Sequence, residues 1–102
     1  MNVGSWLRDR TPAPPPRLAE RIVDVLGERA SRDANEAPEV CVAAATDLLR
    51  DLLARPTGRE SALDLLTVDA LVTYAFEAAA SEPTSLEARA AQAMTRLSLV
   101  TQ

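Results

Sequence analysis

The sequence predicts an all-α fold, an antiparallel four-helix bundle behind a short N-terminal arm. Three observations predict it. Apolar residues recur at spacings of three and four, and no stretch alternates with the period of two of a strand. Ala and Leu are abundant while Gly occurs only three times, a composition that favours helices. The apolar segments are joined by short stretches rich in Pro, Ser and Thr, of the length that links consecutive helices as hairpins. A chain of 102 residues holds one small core, and its few aromatics, Trp6, Tyr74 and Phe76, leave that core to Leu, Val and Ala.

Residues 1–16 read as the arm and its connector, and residues 17–102 as the bundle. "SWLRDR" predicts one helical turn capped by Ser5. "TPAPPPR" follows. Pro12, Pro14, Pro15 and Pro16 lack N–H donors and hold φ fixed, so the segment is a stiff, extended lead-in with Pro16 in the first turn of a helix. Pro12, Pro15 and Arg17 also match a PxxPxR ligand pattern.

The first bundle helix is predicted over Arg17–Arg29, with Leu18, Ile22, Val25 and Leu26 as its apolar stripe. The polar loop "SRDANEAP" supplies Asn35 as a cap. The second helix is predicted over Ala37–Ala54, where Cys41, Ala45, Leu48 and Leu52 repeat at four, three and four, widened by Val42 and Leu49. Pro56 stops it, and Thr57 with Glu60 forms a capping box for the third helix, Gly58–Ser81, about 35 Å long at roughly 1.5 Å per residue. Pro83 breaks the chain again, and a second box, Thr84 with Glu87, starts the fourth helix, Ser85–Val100. Its seam is Leu86, Ala90, Ala93, Leu97 and Val100.

The third helix is apolar in nearly every direction. Asp69, Thr73 and Glu77 fall on one narrow stripe and Asp64 falls elsewhere, near Glu60. A helix of that kind is buried on most sides. Either the other helices and the Trp6 arm enclose it within one chain, or it pairs with a second copy, and the favoured expectation is a homodimer with this helix near the two-fold axis. Leu66, Leu71, Tyr74, Ala75, Phe76, Ala78 and Leu97 are the expected interface or apolar-pocket residues. Asp69 and Glu77 are expected to face solvent or to pair with an arginine such as Arg21 or Arg96.

The residue inventory excludes much chemistry. There is no His, which removes Ser-His-Asp and Cys-His catalysis and imidazole metal ligands. There is no Lys, which removes Schiff bases and the P-loop. One cysteine, Cys41, holds neither a disulfide nor a structural zinc, and it falls on an apolar stripe as a small hydrophobe. Asp47 with Asp51, and Glu20 with Asp24 and Glu28, are interleaved with Arg and read as solvated surface. No cofactor or metal is expected.

The net charge is −4, with only a local excess of four arginines over two acids through Arg21, so no nucleic-acid partner is expected. No secretory leader is visible, and the acids within the longest apolar segment oppose a membrane span. The expected setting is the cytoplasm.

"LLTVDALVTYAFEAAA" resembles the "LAGDALLTLAFELL"-type helix of the trans-isoprenyl diphosphate synthases, with Asp69, Ala70, Leu71, Thr73, Ala75, Phe76 and Glu77 at matching positions. In that family the helix borders the cavity for the growing prenyl chain, so the resemblance implies a core that accepts an apolar ligand. The family's Asp-rich magnesium-binding motifs are absent, so no catalytic residue carries over. The expected function is a non-enzymatic interaction module, a homo-oligomer or a small subunit of a complex. The alternative is a carrier for an isoprenoid-like molecule.

Overall fold

The computed structural model describes residues 1–55, 58–80 and 83–100. These form five α-helices: α1 (Val3–Arg8), α2 (Pro16–Leu26), α3 (Ala37–Ala54), α4 (Arg59–Ala80) and α5 (Pro83–Val100). Short 3-10 turns at Gly27–Ser31 and Ala34–Glu36 join α2 to α3. There is no strand among the described residues, so the all-α class holds.

The arm is tied down. Asn2, not Ser5, caps α1: its Oδ1 accepts from the Ser5 N–H at 2.8 Å, which makes Ser5 the third helical residue. Val3 donates from its N–H to the Arg32 carbonyl (2.8 Å), and the Ala34 N–H donates to the Met1 carbonyl (3.0 Å). Val3 is completely buried in the same core as α3. The first turn therefore belongs to the core of the fold rather than hanging outside it.

The connector does what its prolines dictate. Pro15 is extended (φ −54°, ψ 149°) and α2 starts at Pro16 without a side-chain cap. Arg17 already lies inside α2, so Pro12, Pro15 and Arg17 do not form one continuous extended ligand. The helix then stops three residues short of its expected end. Gly27 takes φ +52°, a left-handed value that costs a residue without Cβ little, and the chain tightens into the 3-10 turn. Asp33 replaces Asn35 as the capping side chain in the loop, accepting from the Asn35 N–H at 2.8 Å.

From Ala37 onward the boundaries match the periodicity closely. Pro38 sits in the first turn of α3 as expected, but Pro83, expected as a breaker, is the first residue of α5, two residues before the expected start, a position where its missing N–H costs no hydrogen bond. With Thr84 inside α5, it does not occupy a capping position; the Thr84 and Glu87 side chains, and the Thr57–Glu60 box, lie outside the described residues.

The centre of the fold is α3, not α4. Its buried face runs through Ala37, Val40, Cys41, Ala44, Ala45 and Leu48 and packs most extensively on α4, then on α5, with α2 and α1 completing the enclosure. Small side chains at Cys41, Ala44 and Ala45 allow that close approach. Cys41 has no exposure, and burial pushes its thiol pKa up to about 12, so it stays a protonated, unreactive filler.

Candidate functional site

The register of α4 is set by one buried stripe and one open stripe. Asp64, Thr67, Leu71, Ala75 and Ala78 recur at three and four, and all are buried. Ala62, Leu65, Leu66, Asp69, Thr73, Glu77 and Ala80 recur the same way, and all are exposed. Asp69, Thr73 and Glu77 thus lie on the outward side, as expected.

The seven expected interface residues do not come together. Leu71 (0% exposed), Ala75 and Ala78 lie in the core cluster with α3 residues of the same chain. Tyr74 is half-buried beneath the N-terminal segment, and the Trp6 ring meets it edge-on at 6.4 Å and 88°. Phe76 is half-buried, about 200° away from Tyr74 on an ideal helix, and lines a cleft between α3, α4 and α5 with Pro38, Val42 and Ala93. Leu97 is half-buried on α5. Leu66 is on the open stripe, 57% exposed. The chain itself therefore covers much of the face of α4 expected at a two-fold seam, through α3 and the Trp6 segment.

Arg21 and Arg55 converge on an acid other than the two expected. Arg21 reaches neither Asp69 nor Glu77. Its Nε donates to Asp64 Oδ1 at 2.7 Å, and Arg55 donates from Nη2 to Asp64 Oδ2 at 3.0 Å. Asp64 is 4% exposed, while both arginines keep part of their side chains in water. The Arg21 hydrogen bond, above all, holds the Asp64 carboxyl below the usual carboxylate range against the opposing effect of burial, and Arg55 adds to it. The same bond raises Arg21. The sequence does carry a signal for this: Asp64 stands seven residues before Leu71 and shares its stripe. Thr67, also buried, satisfies its hydroxyl on the Leu63 carbonyl at 2.8 Å.

This arrangement is structural electrostatics. Both oxygens of Asp64 are engaged by cations, which leaves no free base there. The acid sets read as solvated surface are exposed, and Asp47 pairs with Arg29 at 2.7 Å. Among the described residues no three His, Cys, Asp or Glu side chains gather as metal ligands. Among them, too, no helix is long and apolar enough to cross a membrane.

Apolar side chains remain at the surface. Leu53 at the end of α3 and Leu65 and Leu66 at the start of α4 flank the same connection, and all three are more than half exposed; Met94 and Leu99 on α5 are equally open. The cleft beside Phe76 measures ≈ 60 Å³, well under the ~300–1,000 Å³ of typical small-molecule sites. No family model matches the chain, and no curated protein or solved structure matches it significantly.

Proposed function

We propose that this chain is a non-enzymatic assembly module, a homo-oligomer or a small subunit of a larger complex, in the reduced cytoplasm. In this reading α2 to α5 are an antiparallel four-helix bundle, and the surface that joins it to a second copy is the one around Leu65 and Leu66. One observation carries the reading: α4 turns its charged Asp64 inward and two leucines outward. Fully burying each leucine contributes about 1.5–3 kcal/mol, and a two-fold partner presents the same patch in return. The isoprenoid-carrier alternative has less support, because the cleft beside Phe76 is too small for a prenyl chain.

Light scattering coupled to gel filtration tests the reading. The wild type is expected at a multiple of its 10.9 kDa chain mass, and a Leu65→Glu/Leu66→Lys variant at the chain mass with unchanged helicity. A wild-type monomer at tens of micromolar would remove the homo-oligomer.

A further inference from the structure

The cleft under the proline-rich connector has a composition of its own. Leu7 of α1, Pro14 of the connector, Ala19, Ile22 and Leu26 of α2, and Tyr74 of α4 line a volume of ≈ 190 Å³. The stiff connector forms part of its wall, because Pro14 turns inward while Pro12, Pro15 and Pro16 stay exposed. Its lining contains one charged residue, Arg8. Arg8 is exposed, donates from Nη2 to Ser5 Oγ at 3.1 Å, and is engaged by no carboxylate among the described residues. On a chain of net charge −4, an unpaired cation at an apolar cleft is a selective feature.

From size and charge together, we infer that this cleft binds a small amphiphilic carboxylate, its apolar body between α1, α2 and the connector and its carboxylate on Arg8. The volume fits a benzene-sized or short branched aliphatic body, since an apolar cavity of about 150 Å³ holds benzene. It excludes a long chain. The guanidinium offers paired N–H donors that match a carboxylate and gain nothing comparable from an alcohol. Neither Leu65 nor Leu66 lines this site, so it stands or falls independently of assembly.

The test compares 4-phenylbutyrate with 4-phenylbutan-1-ol. Trp6 is the sole tryptophan and abuts Tyr74 in the cleft wall, so its emission reports occupancy, and backbone amide shifts locate it. The carboxylate is expected to saturate with a Kd on the order of 1 mM or below, about tenfold tighter than the alcohol. Shifts are expected at Leu7, Ala13, Ala19 and Ile22. Arg8→Gln, a surface change that leaves the fold intact, is expected to reduce the preference for the carboxylate to about twofold. Ala19→Met, which fills the cleft, is expected to weaken both ligands. No saturable response to the carboxylate, equal affinity for the alcohol in the wild type, shifts confined to α5, or a tenfold preference that survives Arg8→Gln would each overturn the proposal.

Discussion

The two halves of α4 are built with opposite polarity. From Leu71 to Ala80 the helix is conventional: Leu71, Ala75 and Ala78 face α3, while Thr73 and Glu77 face water. From Ala62 to Thr67 it is inverted. Asp64 and Thr67 are inside, and Leu65 and Leu66 are outside. A buried carboxylate is tolerated there because Arg21 arrives from α2 and Arg55 from the end of α3, one on each oxygen. The conventional half contributes stability by burying apolar area. The inverted half joins three elements through charge, and it leaves Leu65 and Leu66 exposed. An all-round apolar helix is therefore two one-sided segments in sequence.

Leu71 carries the largest effect on α4. Leu71→Ala is expected to cost about 2–5 kcal/mol, because no part of the side chain reaches water and the site collapses only partly. At roughly 4–8 °C per kcal/mol for a domain of this size, melting would fall by about ten degrees or more. Thr73→Ala, two residues on and exposed, should stay within about 0.5 kcal/mol. Equal effects for the two would mean that α4 is rotated away from this register.

Asp64→Ala comes next, at about 2–3 kcal/mol. It removes the acceptor of two charged hydrogen bonds, and the partly exposed arginines recover some of that loss through water. The sign with pH follows from the lowered carboxyl. The Asp64 contribution is complete above the unfolded carboxylate pKa of about 3.9 and is lost as the pH falls through the lower folded value. Between about pH 5 and pH 2 the wild type should lose more stability than the variant. Parallel denaturation curves over that range would show that Asp64 has no linked role.

Trp6→Ala sharpens the description of the conventional half. The ring closes over Tyr74, with the Arg10 guanidinium carbon 4.2 Å from its centroid. Arg10 Nε is buried without a hydrogen-bond partner among the described residues, and the guanidinium gains a cation–π contact with the indole face. A loss of about 1–2 kcal/mol is expected, less than for Leu71 because Trp6 is only half-buried. An unchanged urea midpoint would make the N-terminal segment an appendage after all. The smallest change in stability belongs to the inverted half: Leu65→Glu/Leu66→Lys should leave melting of the isolated chain within about 0.5 kcal/mol per site while altering its mass.

Helix boundaries are legible in the sequence where local chemistry alone sets them. Ala37–Ala54 follows from its periodicity and Pro38, and α4 starts at Arg59, one residue after the expected Gly58, while its expected last residue, Ser81, lies outside the described residues. The end of α2 is legible too, but in Gly27 rather than at Arg29: the apolar period stops at Leu26 and the glycine after it ends the helix. The cap of α1 is not legible: Ser5 and Asn2 are both capping residues, and the choice of Asn2 goes with the pairing of residues 1–3 to the loop at Arg32–Ala34. The partner of Arg21 is hidden for a different reason, since its choice among Asp64, Asp69 and Glu77 depends on where α2 crosses α4.

Residue order alone is enough to make this chain helical, to set both ends of α3, to leave it without His or Lys, and to put Asp69, Thr73 and Glu77 on one face. Propensity, proline and period are local properties that no distant contact needs to supply. Only the tertiary structure decided that α3 is central, that Asp64 is the enclosed acid, and which side of α4 its own chain covers. Those outcomes depend on how helices far apart in sequence cross one another. A helix apolar on several sides offers more than one face to bury, and the positions of α2, α3 and Trp6 select among them.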